Sequence, residues 1–262
     1  MKIAVCYKWV PDEADIRIEE ENLSLNFDKV KYKISDYDRN AIELGATIKE
    51  AIGAGTELVG VTCGSGVEKS LKDALSRGID SVYYVDSKVL ADVDSQVTSK
   101  ILAAIIKKIG DVDLIICGEG SSDNYSQQVG PRLSVLLGCS AVTFANKVDV
   151  DGSGLKAERK LEDGIEVVQS EFPAVITVLP DINEPRIPGL KQILAAKKKP
   201  SYALSLADIG IDDGEIQKSI TTINLTGSVM DRKNIKIGGE GVSAIDAIEE
   251  LLKKVNFTVN DN

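Results

Sequence analysis

The sequence predicts an α/β fold built on a mostly parallel, twisted sheet with helices on both faces. Over residues 1–150, strand-like and helix-like segments alternate, which is typical of right-handed βαβ crossovers. Beyond residue 150, strand-like segments follow one another with no room for helices, and a proline-rich stretch then leads into a long tail. These three observations predict a parallel core, an antiparallel extension and an extended C-terminal arm.

Hydrophobic periodicity places each element of the parallel core. The strands are β-branched and apolar, whereas the helices carry apolar residues three and four positions apart and end at glycines such as Gly78, Gly110 and Gly138. In chain order, we predict strand 3–10, helix 38–52, strand 57–62, helix 67–77, strand 81–85, helix 94–109, strand 113–117, helix 126–137 and strand 141–150.

The short spacing after residue 150 predicts a different kind of pairing. Segments 155–161, 165–171 and 174–179 are separated only by turns, so we expect them to pair as antiparallel strands. The tail has one clear helix, 243–255. We therefore divide the chain into an α/β domain, 1–180, whose residues 151–180 form the antiparallel extension, an arm, 181–200, and a C-terminal arm, 201–262.

The composition excludes several classes of function. A formal net charge of -10 argues against binding to nucleic acid or to an anionic membrane. The chain has no histidine, which removes the Ser-His-Asp triad and the usual zinc ligands, and its 4 cysteines show no CxxC spacing. The cysteine spacing predicts buried structural thiols. The sequence shows no signal peptide and no apolar segment long enough to cross a bilayer, which predicts a cytoplasmic protein.

Small and hydrogen-bonding residues follow the predicted parallel strands, at the edge of the sheet where the carboxyl ends of those strands meet. They occupy segments 6–8, 63–66 and 118–123 and the helix entry 92–98. Glycine lets the backbone approach a phosphate, while hydroxyl groups and first-turn N–H groups donate to its oxygens. The edge therefore predicts a nucleotide-binding crevice.

Each of these segments has a purely structural alternative. Residues 63–66 are also typical of an ordinary helix N-terminal turn, and Ser95 and Thr98 are equally typical of helix caps. The chain lacks a Walker A motif and a full GxGxxG motif, which argues against P-loop hydrolysis and a standard dinucleotide fold. The prediction of a crevice depends on the clustering of the segments at one edge.

Residues 157–177 resemble the signature of the small (β) subunit of electron-transfer flavoproteins. The resemblance rests on Arg159, the trio 162–164, Glu166, Val168 and residues 173–177, all at the family's spacing. Residues 183–186, Leu190 and lysines 197–199 resemble the family's next landmark, and segments 34–38, 76–78 and 118–121 are more similar to the anaerobic, Fix-type branch. The similarity covers residues 1–210, and the tail diverges.

The resemblance implies a Rossmann-like, adenine-nucleotide-binding domain in a heterodimer with a large (α) subunit that carries its own FAD. The small subunit of that family holds an adenine nucleotide at the sheet edge, and we expect the C-terminal arm to wrap the large subunit. The residues assigned to the nucleotide are Cys6, Lys8, Ser35, Asp36, Tyr37, Asp38, Cys63, Gly64, Asp94, Ser95, Thr98, Gly118, Glu119, Gly120, Ser121, Ser122, Asp123, Gln127, Gln128 and Val129.

The resemblance leaves two ligands open. Non-bifurcating members hold AMP, whereas bifurcating members hold a second FAD whose flavin meets NADH. Bifurcating members carry an Asp-Thr-x-x-Thr pattern at the helix entry, and this chain matches it at Asp94 and Thr98, with Ser95 keeping the hydroxyl. This match favours FAD, with NADH as a transient electron donor or acceptor and electrons parting toward a dehydrogenase and toward ferredoxin or flavodoxin.

The arm has two interpretations. Its lysines are typical of a solvated surface connector, but the family binds flavin-dependent dehydrogenases through a leucine in this loop, which corresponds to Leu190 with Ile187 and Ile193 beside it. We favour the partner-binding interpretation. The alternatives for the whole chain are a standalone adenine-nucleotide-sensing module, which would end near residue 150, and an ATP-pyrophosphatase, whose Ser-Gly-Gly-x-Asp-Ser loop is replaced here by residues 8–12.

Overall fold

The computed structural model describes residues 1–228 and 242–254. Contacts divide the chain into two compact units. The larger contains residues 1–17 and 25–225, and the smaller contains residues 18–24 and the chain from residue 226 onward. The smaller unit includes helix Val242–Lys254 and an antiparallel bridge between Ser24 and Thr226. The predicted arm 201–262 and the predicted end of its helix at Val255 thus lie partly outside the described residues.

The larger unit is organised around a nine-stranded sheet. The strands of the chain are β1 Lys2–Cys6, β2 Trp9–Pro11, β3 Arg17–Ile18, β4 Leu25–Asn26, β5 Tyr32–Ile34, β6 Glu57–Gly64, β7 Ser81–Asp86, β8 Leu114–Gly118, β9 Ser140–Val150, β10 Gly154–Lys160, β11 Ile165–Glu171, β12 Ala174–Val178 and β13 Ser201–Ala203. The order in the large sheet is β11-β10-β9-β12-β8-β1-β6-β7-β13, with β10 antiparallel to both of its neighbours and every other pair parallel.

Helices cover both faces of this sheet, as the sequence predicts. They are α1 Asp36–Ile52, α2 Leu71–Ser76, α3 Ser95–Ile109, α4 Val129–Leu137 and α5 Leu190–Ala196, and the helix of the smaller unit is α6 Val242–Lys254. One apolar cluster joins α1 and α2 to alternate strand residues such as Ile3 and Ile116, and a second joins α3 and α4 to the intervening residues such as Ala4 and Ile115. The alternation confirms a parallel core buried on two faces.

The predicted antiparallel pairing of residues 174–179 is wrong. Strand β12 lies between β8 and β9 in the centre of the sheet and is parallel to both. Its five residues are all buried, which is typical of a central parallel strand and not of a half-exposed antiparallel one. Only β10 and β11 form the antiparallel extension, because the chain returns from β11 into the core to complete the sheet.

Three other boundaries also differ from the predictions. The predicted strand 3–10 ends at Cys6, and Trp9–Pro11 pairs instead with Tyr32–Ile34 in a separate two-stranded sheet. The predicted helix 67–77 begins with a 3-10 turn, and the predicted helix 126–137 begins only at Val129. The predicted extended arm contains the short helix α5. Within the described residues, we find no helix that could cross a membrane.

The contact between α4 and β12 requires a glycine. A Cβ atom on Gly130 would lie 2.2 Å from the Cγ2 atom of Thr177, well inside van der Waals distance. We expect Gly130→Ala to lower the free energy of unfolding by about 1–3 kcal/mol, the usual cost of overpacking a core. Urea denaturation measures the change.

The double variant Gly130→Ala/Thr177→Ser is the matched control. Serine removes the clashing methyl group but keeps the hydroxyl oxygen that accepts from the backbone N–H of Phe144 at 3.1 Å. We expect the double variant to recover most of the loss. A double variant no more stable than Gly130→Ala would show that the close approach is not the cause.

Candidate functional site

A cleft of about 330 Å³ opens at the carboxyl ends of β1, β6 and β8, beside the first turn of α3. This is the edge of a parallel sheet at which ligands bind in open α/β folds. In the larger unit the cleft is lined by Cys6, Tyr7, Lys8, Asp38, Cys63, Asp92, Val93, Asp94, Ser95, Thr98, Leu102, Cys117, Gly118, Glu119, Gly120, Ser121, Asn124, Ser126, Gln127, Gln128, Val129, Ile220 and Thr222.

The buried carboxylate of Asp38 joins two of these strand ends. It accepts from the backbone N–H of Lys8 at 2.8 Å and from the backbone N–H of Gly118 at 3.3 Å. Burial raises the pKa of Asp38 to about 7, although the two backbone hydrogen bonds oppose the rise. A Cβ atom on Gly118 would lie 2.7 Å from the Asp38 Oδ1 atom and 2.8 Å from the Tyr37 Cβ atom, so this approach needs glycine.

Hydrogen bonds outside the cleft fix the same junction. Ser122 donates from its backbone N–H to the Ser35 hydroxyl oxygen at 3.2 Å, and the Ser122 hydroxyl accepts from the backbone N–H of Asp36 at 3.0 Å. These three residues do not line the cleft, and neither do Tyr37, Gly64 and Asp123. The hydrogen bonds of Ser35, Asp36 and Ser122 hold the loop 118–128 against the N-terminus of α1, whereas Gly64 lies at the end of β6.

The loop 118–128 is shaped by Tyr125. Its hydroxyl donates to the Glu119 carboxylate at 2.5 Å, and its ring lies 5.2 Å from the ring of Tyr37. Burial raises the pKa of Glu119, and the hydrogen bond to Glu119 raises the pKa of Tyr125 to about 12. Tyr125 and Gln127 both adopt positive φ, 44° and 56°, which bulky residues keep only where their surroundings hold them.

The Lys8 side chain places a positive charge at the mouth of the cleft. Its Nζ atom lies 2.5 Å from the Asp123 carboxylate, which also accepts from the Ser121 hydroxyl at 2.5 Å. The Lys8 side chain is partly exposed, so it stays available to an anionic ligand beside Asp123.

The first turns of α3 form another side of the cleft. Asp94 caps the helix by accepting from the backbone N–H of Val97 at 3.0 Å, and Ser95, Thr98 and Leu102 lie on one face. The Thr98 hydroxyl donates to the Asp94 carbonyl at 2.9 Å, and the Ser95 hydroxyl donates to the Gln128 side-chain oxygen at 3.0 Å. Both hydroxyl protons are thus already used within the protein, and the N-cap of α3 is Asp94, so neither Ser95 nor Thr98 caps the helix.

Two of the cysteines at the cleft, Cys6 and Cys63, have raised pKa values. A hydrogen bond with Cys117, together with burial, raises the pKa of Cys6 well above its usual value, and burial raises the pKa of Cys63 to about 12. A thiol is nucleophilic only as thiolate, so these groups are apolar packing atoms here. None of the described residues forms a cluster of acidic, cysteine or histidine side chains that could hold a metal ion.

Most of the predicted nucleotide residues therefore meet at one cleft, and several lining residues are absent from the prediction. Leu102 could have been found because it continues the face of Ser95 and Thr98 along α3. Ile220 and Thr222 come from the tail, more than one hundred residues along the chain from α3. No local pattern marks them, since only the folded path of the tail brings them there.

Polar residues of the arm bind α1, whereas several of its apolar residues are exposed to solvent. Arg186 forms ion pairs with Glu43 at 2.7 Å and Glu50 at 2.6 Å, and the Asn183 carbonyl accepts from the Asn40 side chain at 2.9 Å. Lys199, predicted to be solvated in the connector interpretation, instead donates to the carbonyl of Leu75 at 2.9 Å.

The apolar side chains of the arm face solvent. Ile187 is 92% exposed and Leu190 is 74% exposed, whereas Ile193 is partly buried. Single exposed leucines are common on protein surfaces, but here Ile187, Leu190 and Leu194 are all exposed on one short segment that Arg186 holds against α1.

Comparison with known protein families agrees with this geometry. The family model for the electron transfer flavoprotein domain matches residues 22–209, which include α1, the entry to α3, the loop 118–128 and the arm. The chain belongs to the electron transfer flavoprotein family. Proteins of this family carry electrons, are associated with flavin, and generally form heterodimers with partner subunits.

Segment 157–177, whose residues resemble a family signature, has a structural role in this chain. Arg159 on β10 donates to the Thr143 carbonyl at 2.8 Å and pairs with Glu166 on β11 at 2.7 Å. The neighbouring Phe144 has φ 58°, and the pairing of β9 with β10 shifts register at this point. Arg159 thus stabilises a β-bulge that lets β9 run from the parallel core into the antiparallel extension.

The raised pKa of Asp38 makes a prediction about pH. An unfolded aspartate has a pKa of about 3.9, so between about pH 4 and pH 7 the folded state binds more protons at this group and stability falls as pH rises. Asp38→Asn removes this titration. We expect the wild-type free energy of unfolding, minus that of the variant, to fall by up to about 1.4 kcal/mol per pH unit across this window.

Urea denaturation of both proteins at several pH values gives this difference, and subtraction cancels the carboxylates that the two proteins share. A difference that stays constant or rises between pH 4.5 and pH 6.5 would contradict a raised pKa for Asp38.

Proposed function

We propose that this chain is the small subunit of an electron transfer flavoprotein and that its cleft holds an adenine nucleotide. The observation that carries the proposal is the cleft itself, which brings residues from β1, α1, β6, α3 and the loop 118–128 to one cavity. Its volume lies at the lower end of the range for small-molecule sites. Backbone amides, the Gln127 and Gln128 side chains and Lys8 offer the donors that adenine and phosphate groups require.

We favour FAD over AMP as the nucleotide. The support comes from the helix entry, where Asp94, Ser95 and Thr98 follow the pattern of bifurcating members and line the cleft together. FAD would supply the redox chemistry, and the residues of the chain would position it and exclude water. The raised pKa values of the Cys6 and Cys63 thiols suit packing around a bound group and not proton transfer.

With FAD bound, the chain would take part in NADH-linked electron bifurcation, with NADH as transient donor or acceptor and ferredoxin or flavodoxin as one electron partner. The second candidate is a non-bifurcating subunit with structural AMP, which the small volume of the cleft favours. A standalone nucleotide-sensing module is disfavoured, because β12 and β13 from the second half of the chain complete the sheet.

We propose that α6 and the C-terminal arm bind the large subunit. In the smaller unit, Ile245, Ile248 and Leu251 are exposed and lie three residues apart along the helix. Such spacing places apolar side chains on one side of a helix, as in a helix that docks into a partner. We propose that Leu190 and Ile187 bind a flavin-dependent dehydrogenase. The ion pairs of Arg186 support this role, because they hold the loop that carries both residues against α1.

The flavin count of the complex tests the nucleotide assignment. We expect this chain, co-produced with its large subunit, to yield two FAD molecules per heterodimer by absorbance and mass spectrometry of the released ligands. One FAD and one AMP would establish the non-bifurcating candidate. A complex whose only nucleotide belongs to the large subunit would refute nucleotide binding by this chain.

The Leu190 assignment predicts a kinetic effect. Leu190→Ala removes an exposed anchor, so we expect electron transfer with the dehydrogenase to slow about tenfold or more, as for an interface hot spot, while nucleotide content stays unchanged. Val135→Ala on α4, which is 81% exposed, is the matched control and should keep the wild-type rate. An unchanged rate for Leu190→Ala would remove the assignment.

A further inference from the structure

Residues 218–222 of the tail, which we call the strap, form a side of the cleft that lies beyond the family match. Ile220 and Thr222 line the cavity, and both lie beyond residue 209, where the family match ends. We infer that the strap retains the nucleotide and that Asp94 acts as its latch. This inference rests on the proposed function, because it concerns the release of the nucleotide that the cleft is proposed to hold.

The carboxylate of Asp94 is divided between two tasks. Its Oδ1 atom accepts from the backbone N–H of Val97 and caps α3. Its Oδ2 atom accepts from the backbone N–H of Ser219 at 2.6 Å and from the backbone N–H of Ile220 at 3.2 Å. Burial opposes ionisation of Asp94, but these amides hold its pKa below the usual value, so the latch is an anion at neutral pH.

Two side-chain contacts extend the latch. Lys218 forms an ion pair with Asp92, and the Ser219 hydroxyl donates to the Gln96 side-chain oxygen at 3.3 Å. All the strap's polar contacts thus fall on residues 92–96, the entry to α3 that also borders the cleft. Closing the strap and shaping the ligand site depend on the same few residues.

Apolar contacts fix the chain just before the strap but not the strap itself. Ile209, Ile211 and Ile216 pack against the apolar cluster that contains α3. In contrast, Ile220 is 59% exposed, although part of it faces the cleft. The strap is therefore tethered at its start and held in place by hydrogen bonds, which is the arrangement of a segment that opens locally at low free-energy cost.

A ligand in the cleft contacts the strap and the helix entry at once, so its departure on this side requires that the Asp94 hydrogen bonds break. Charge-assisted hydrogen bonds contribute more than neutral ones, and losing even part of this set would shift opening by about a factor of ten. The strap thus controls the rate at which nucleotide leaves more than the rate at which it binds to an open cleft.

Two variants separate the latch from a direct effect on the ligand. Asp94→Asn keeps an oxygen that can cap α3 but turns Oδ2 into a donor, which cannot accept from the strap. Ser219→Pro leaves Asp94 intact and removes one of the two N–H donors of the strap. Asp151→Asn is the matched control, since Asp151 also accepts two backbone N–H groups, from Ser153 and Gly154, in a turn outside the cleft.

The measurement is the release of prebound FAD, or of radiolabelled AMP, from the full chain into excess unlabelled nucleotide, together with hydrogen exchange at Ser219 and Ile220. We expect both variants to release nucleotide about tenfold faster than wild type, with association rates changed by less than about threefold. The Ile220 amide should exchange faster in both variants, and the Ser219 amide, which proline lacks, should exchange faster in Asp94→Asn. The control should match wild type in every measurement.

Wild-type release rates in both variants, with faster amide exchange, would overturn the inference, because the strap would then open without affecting the ligand. Fast release from Asp94→Asn alone would also overturn it and would assign Asp94 to the ligand directly. Wild-type protein that binds neither FAD nor AMP would instead refute the proposed function, so the two failures are distinct.

Discussion

The carboxylate of Asp38 is the constraint on which the cleft depends. It lies in the first turn of α1 and accepts backbone N–H groups from the ends of β1 and β8. Adjacent parallel strands end with unpaired N–H groups, and a single side chain from the intervening helix satisfies two of them here. The carboxylate loses hydration by burial, and the fixed hydrogen bonds offset only part of that loss. As a result, the ends of β1 and β8 and the N-terminus of α1 are held at fixed distances from one another.

The other features of the cleft follow from this junction. Gly118 is needed because Asp38 and Tyr37 leave no room for a Cβ atom, and the loop after Gly118 must then turn away through the left-handed residues Tyr125 and Gln127. The serine pair Ser35 and Ser122 ties that loop back to α1. Contacts outside the cleft thereby hold the loop residues that line it. A site can keep its geometry in this way even where its own side chains are not tightly packed.

Sequence patterns reveal the parallel core and most of the cleft because both depend on local rules. Apolar periodicity identifies the α/β alternation, and the carboxyl ends of parallel strands must share one edge, so Lys8, Cys63 and Gly118 could be placed together before any contact was known. The sequence predicts the wrong pairing for β12 because its four apolar residues and Thr177 fit either kind of pairing, and only the burial of both faces distinguishes the two. Ile220 could not be found, since its place at the cleft depends on long-range hydrogen bonds to Asp94. The role of Ser35 and Ser122 as supports likewise depends on distances that spacing does not encode.

Helix α1 contacts both the cleft and the arm, because ion pairs join it to the arm. Asp38 lies in its first turn, Glu43 and Glu50 bind Arg186 further along, and the helix continues without a break from Asp36 to Ile52. At 1.5 Å per residue, Asp38 and Glu50 are about 18 Å apart along the axis. Helix α1 therefore sets the distance between the Asp38 junction of the cleft at one end and the arm at the other. Under the proposed function, every partner that docked on the arm would lie at this same distance from the cleft, so one docking partner could replace another without changing that separation.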